Sequence, residues 1–122
     1  MEFFQYLIKF FYKNFFYVLI IAAAICSAFG NIYIKKSQSS MNFLSSLFSL
    51  EFFMGITFYC LNLILFAFSL KYINVSKAYP ILAGLGFVFL ILLSNLILGE
   101  KLNILNYFGF TLVIIGIYFI AK

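Results

Sequence analysis

The chain contains no histidine, aspartate or arginine, and its three acidic residues are Glu2, Glu51 and Glu100. Acid–base catalysis needs positioned groups that exchange protons near neutral pH. Each glutamate falls near the end of an apolar segment, so no such pair exists and an enzyme is not expected. The two cysteines, Cys26 and Cys60, stand within apolar segments without partners at metal-ligand spacing. They read as small packing residues, and no metal or other cofactor is expected. Proline occurs once, as Pro80. Charge of either sign is scarce, at 9% of the 122 residues. The net charge of +5 comes from scattered lysines, with no soluble surface to gather them, so nucleic acid is not an expected partner.

What remains is apolar. Hydrophobic residues make up 66% of the chain and its mean hydropathy is +1.16. A water-soluble domain cannot hide that much apolar surface, so the solvent is largely lipid. Four apolar stretches cover residues 15–34, 52–70, 78–98 and 102–121. Each is close to the ~20 residues that cross ~30 Å of hydrocarbon. The expected fold is an all-α integral membrane protein, one four-helix bundle over residues 1–122. Residues 1–14 place Glu2, Gln5, Lys9 and Lys13 opposite Phe3, Phe4, Leu7, Ile8 and Phe11. That amphipathic pattern suits a helix at the membrane surface or an extension of the first span. A cleaved leader also fits Lys9, Lys13 and "VLIIAAAICSA", but the polar stripe beyond Ala24 suits a bundle better.

Each span carries residues that lipid would not select. The first has Ala24, Ser27, Ala28, Asn31 and Lys35 at helical spacing, beside Gly30. The second has Gly55, Tyr59 and Asn62. The third opens with Tyr79, Pro80, Ala83, Gly84 and Gly86 and later carries Ser94 and Asn95; the fourth has Gly109 and Gly116 on one face. Small residues let backbones approach, and buried amides need partners, so these stripes are expected to face protein or a wet cavity.

The order of "AYP" and "GLG" in the third span, "GEKL" after it and "GFTLVIIG" in the fourth resembles the small multidrug resistance branch of the drug/metabolite transporter superfamily. That resemblance implies a bacterial inner-membrane protein. It also implies pairing, as an antiparallel homodimer or a heterodimer, with the first three spans enclosing a substrate chamber. The fourth would supply the dimer contact at Gly109 and Gly116. A kink in the third span would centre on Pro80, Gly84 and Gly86. Drug-exporting members use a glutamate in the first span; aligned on Gly30, that position is Ser27 here.

The sequence is similar instead to the flippase subunits that move undecaprenyl-phosphate-linked aminoarabinose. Those subunits lack the glutamate and carry serine, glycine, an amide and lysine where this chain has Ser27, Gly30, Asn31 and Lys35. They also share Ala78-Tyr79-Pro80 and Glu100. Asn31 in place of glutamine, Lys77 and the N-terminal segment depart from their pattern. The implied substrate is an anionic polyprenyl-phosphate lipid, held by Ser27, Asn31, Lys35, Tyr59, Asn62 and Tyr79. Export of small molecules such as cationic drugs is the alternative. Lysines number five on the N-terminal side (9, 13, 71, 77, 122) against three, which favours the N-terminus inside and leaves dual insertion open.

Overall fold

The computed structural model describes residues 1–39 and 42–122. It contains helices α1 (Glu2–Gln38), α2 (Phe43–Ser46), α3 (Leu50–Ser69), α4 (Val75–Leu98) and α5 (Ile104–Ala121), with no strand among the described residues. Four of these, α1, α3, α4 and α5, are long and apolar enough to cross a membrane. The fold is a four-helix membrane bundle. The short α2 occupies part of the polar connection after the first span; residues 40 and 41 of that connection lie outside the described residues.

Local chemistry explains the helix ends. Ser49 caps α3 by accepting from the Phe52 amide at 3.2 Å. Asn103 and Asn106 cap α5 reciprocally, at 2.9 and 3.0 Å. Gly99 ends α4 in the left-handed region at φ 68°, which glycine adopts without strain. The N-terminal amphipathic segment is the first part of α1, without a break. At 1.5 Å per residue α1 is about 56 Å long, well beyond ~30 Å of hydrocarbon.

Two positions differ from the sequence reading. α4 begins at Val75 behind Asn74, three residues earlier than the apolar run at 78. Nothing in Val75-Ser76-Lys77 resists helix, so the backbone continues outward past the apolar boundary. Pro80, near the start of the apolar run, therefore stands in the second turn of the helix, and its ring nitrogen cannot donate to the Ser76 carbonyl. Asn95, expected on an inward stripe, is exposed and donates from Nδ2 to the Glu100 carbonyl at 2.8 Å. An amide this close to a helix end can be satisfied by the following loop.

α1 is the central element, packed against both α3 and α4, while α5 packs on α4. The α1–α3 crossing is a glycine contact. A Cβ on Gly55 would lie 2.7 Å from Ile34 Cγ1 and 3.1 Å from the Gly30 carbonyl; one on Gly30 would lie 3.0 Å from the Tyr59 ring. Phe58 stacks between this pair's neighbours, with centroids 5.6 Å from both Phe29 and Tyr33. The seam of α1 with α4 and the loop before it is apolar: Phe16, Ile20, Ala23 and Ala24 bury against Ile73 of the loop and Ala78, Ile81 and Leu82 of α4. α5 fits over Gly84, where a Cβ would meet Ile117 Cδ1 at 2.5 Å.

Candidate functional site

With α1 between them, α3 and α4 leave a groove whose floor is α1. A cavity of about 360 Å³ occupies it, lined by Ser27 and Asn31 of α1, Tyr59 and Asn62 of α3, and Tyr79, Ala83, Gly86 and Phe87 of α4 among others. Helical spacing produces this convergence. Ser27 and Asn31 are one turn apart on the face that meets both partners, and Tyr59 and Asn62 are three apart on α3.

The polar groups form a short chain. The Tyr59 hydroxyl donates to Asn31 Oδ1 at 2.6 Å, and Asn31 Nδ2 donates to the Ser27 carbonyl at 3.0 Å. Asn31 is thereby fixed in one orientation. Asn62 is different: its Oδ1 is buried and has no hydrogen-bond partner among the described residues. A buried acceptor without a donor costs about 1–3 kcal/mol, so it is an exception that calls for a reason. No carboxylate lines this cavity among the described residues. Tyr79 is 59% exposed at the groove mouth, its ring edge toward Phe66 of α3.

Five of the six residues expected to hold substrate, Ser27, Asn31, Tyr59, Asn62 and Tyr79, share this one cavity. Lys35 does not. It lines an adjoining cavity of about 320 Å³ with Ser94 and Glu100, connected to the first through Asn31 and Leu90. The two glycines of "GLG" separate in role. Gly84 is the close-packing point under α5, whereas a Cβ on Gly86 would stand 3.8 Å from the Ala24 carbonyl and 3.9 Å from Ser27 Oγ, at the cavity wall. Gly109 and Gly116 face open space, with nothing within 4 Å of a built Cβ.

Ala83, expected on the stripe of the third span, lines the wall; sequence reasoning missed Phe87 and Leu90 as wall residues, since they continue an ordinary apolar run. It also missed a larger cavity, of about 410 Å³, at the other end of the bundle, where Lys9, Lys13 and Lys77 converge. The signal was present in the first span's approach, because Lys9, Tyr12, Lys13, Phe16 and Tyr17 follow helical spacing.

The chain is similar to proteins of known sequence along most of its length. The uncharacterized protein y4nH of Sinorhizobium fredii (strain NBRC 101917 / NGR234) is 38% identical over 109 residues, covering 86% of this chain and 93% of that protein. The quaternary ammonium compound-resistance protein QacC of Staphylococcus aureus is 28% identical over 101 residues, covering 83% and 89%. QacC of Staphylococcus sp. (strain ST827) is 27% identical over the same length. No solved structure matches the chain. The EamA-like transporter family model matches residues 13–122, which takes in the whole groove, α3, α4 and α5, and α1 from Lys13 onward. This multi-pass membrane protein therefore belongs to the EamA-like transporter family, and it is homologous to the QacC small multidrug resistance proteins.

Proposed function

We propose that the chain carries an amphipathic substrate across a bacterial inner membrane by alternating access, and that the substrate's polar head donates hydrogen bonds. A lipid-linked sugar is the class that fits best. The observation that carries this reading is Asn62 Oδ1, a buried acceptor without a donor on the wall of a neutral cavity. Once the Asn62 side chain turns its oxygen into the cavity, a sugar hydroxyl or amine N–H supplies that donor; a quaternary ammonium has no N–H to give. The Ser27 and Tyr79 hydroxyls extend the same neutral surface. Lys35, one turn from Asn31 and outside the main cavity, is the charge partner for a phosphate, with Glu100 in the same recess as its competitor.

The groove of a single chain is open between α3 and α4. A second copy, antiparallel or a paired relative, closes it, with the open faces of Gly109 and Gly116 on α5 as the contact. Bending for alternating access falls to the stretch around Pro80 and Gly86.

The second reading is export of quaternary ammonium compounds, the compounds in QacC's name. Tyr59, Tyr79 and Phe87 favour it, because aromatic faces attract such cations by about 0.5–2 kcal/mol. The experiment is transport in reconstituted vesicles. The lipid reading expects protection of a polyprenyl-phosphate-linked sugar from an external reagent, with no proton flux on adding quaternary ammonium compounds. Proton-coupled uptake of those compounds without lipid transfer refutes it in favour of the second.

A further inference from the structure

At the end of the bundle away from Lys35, the first turns of α4 and the loop before it dock against α1. The contact is specific: the Tyr12 and Tyr72 rings meet edge to face at 5.2 Å, and Tyr72 lies over Phe16 at 4.2 Å. The resulting cavity, about 410 Å³, is lined by Lys9, Lys13, Lys77, Tyr17 and Asn74 around a floor of Phe16 and Ile73. No acidic side chain lines it among the described residues. Three ammonium groups sharing one recess repel each other unless an anion sits among them. The start of α4 adds to the attraction, since Asn74 makes no side-chain cap for the first turn, where the Lys77 amide is taken by the Asn74 carbonyl and the Val75 and Ser76 amides have no such bond.

The surroundings combine aromatic and aliphatic side chains with further lysines. On one side lies a recess formed by Tyr6 and Phe10 with the same Lys9 and Lys13; on the other, one formed by Phe15, Leu19, Phe68 and Lys71. A basic pocket flanked by recesses that carry Tyr6, Phe10, Phe15, Leu19 and Phe68 matches a molecule with an anionic head and hydrocarbon tails. This is the lysine-rich side, which the charge bias favours as the cytoplasmic one, where anionic lipids face the protein.

We propose that this cavity is a binding site for the phosphate headgroup of an anionic glycerophospholipid, separate from the transport groove. It does not rest on the transported substrate. Lysine is suited to this work as a point charge on a flexible stem, and the tyrosine hydroxyls add neutral donors. Lys9 and Tyr12 precede the residues matched by the family model, so the site depends on this chain's own N-terminal turns.

The test is native mass spectrometry of the full chain in detergent, titrated with phosphatidylglycerol or phosphatidylcholine. Phosphatidylglycerol should bind to the parent in preference to phosphatidylcholine. Lys9→Gln, Lys13→Gln and Lys77→Gln should each weaken it about fivefold. Lys36→Gln and Lys101→Gln, at the opposite end, should leave it unchanged. A triple variant combining Lys9→Gln, Lys13→Gln and Lys77→Gln should lose the preference; circular dichroism checks that each variant folds, and the single variants serve if the triple does not. Equal binding by parent and triple variant overturns the site, as does an equal loss from the two distant lysines. Inorganic phosphate supplies the same head without tails and should not displace the lipid at millimolar concentration. Displacement by phosphate alone overturns the lipid assignment.

Discussion

Replacing Tyr59 with phenylalanine removes one oxygen atom, and the structure says what that oxygen holds. The hydroxyl is the donor to Asn31 Oδ1 at 2.6 Å, across the α1–α3 seam. The ring stays where it is, since it packs on Gly30, so the change tests the hydrogen bond rather than the shape. Polar contacts between membrane helices average about 0.6 kcal/mol and reach about 1.7. This one is short and part-buried, so Tyr59→Phe should cost near the upper figure. Asn31→Ala should cost a similar amount from the same bond, plus a smaller term for its contact with the Ser27 carbonyl. The double variant then should lose less than the sum, by about 1–1.7 kcal/mol of coupling. Reversible unfolding in mixed micelles, followed by circular dichroism because the chain has no tryptophan, gives the four free energies. Additive losses, with coupling below about 0.3 kcal/mol, would show that the two side chains do not share a bond and that Asn31 is not held for a ligand.

Gly84→Ala must push against Ile117 and should destabilise by about 1–3 kcal/mol, less about 1 kcal/mol regained in helix propensity. Gly86→Ala fits its space and should keep or raise the melting temperature while slowing transport, because its methyl narrows the groove beside Ser27; the reverse order of melting temperatures would contradict this packing. Gly109→Leu and Gly116→Leu meet nothing within their own chain, so a fall in cross-linked dimer with unchanged helix content would assign the lost contact to a partner. Unchanged dimer yield in both places the interface elsewhere. Lys35→Gln should reduce transfer of the phosphate-bearing lipid by about fivefold. Lys36→Gln, exposed and 5.9 Å from the Tyr33 ring centroid, should not; equal transfer by both variants would reduce Lys35 to a membrane anchor.

Much of this molecule was readable from residue spacing. A stripe at i, i+3, i+4 commits side chains to one face whatever they pack against, so Ser27 and Asn31 had to look the same way, as had Tyr59 and Asn62. Hydropathy located the four long helices because lipid leaves little choice of what can face it. Spacing could not decide what needed the partner helix. Gly84 and Gly86 look alike in sequence, and only the position of α5 makes one a packing point and the other a cavity wall. Lys35 shares the stripe with Asn31 but lies one turn further, past Leu90, where the recess changes partners. The start of α4 was obscured because hydropathy marks where lipid ends, while the helix continues for as long as its backbone allows. The lysine cavity was half legible for a related reason: Lys9 and Lys13 follow helical spacing in the sequence, but Lys77 joins their recess only once the loop before α4 packs on α1.

The continuity of α1 makes it a lever. Lys13 borders the basic cavity and Asn31 the groove, about 27 Å apart along one uninterrupted axis at 1.5 Å per residue. A stiff rod pivoting between them at the alanine-rich seam moves its two ends in opposite directions. A pivot of 10° would displace one end relative to the other by roughly 5 Å at that span, comparable to one helical turn. With a lipid headgroup in the proposed basic site, such a pivot would couple lipid composition on one face of the membrane to the tilt with which α1 presents Asn31 to the groove.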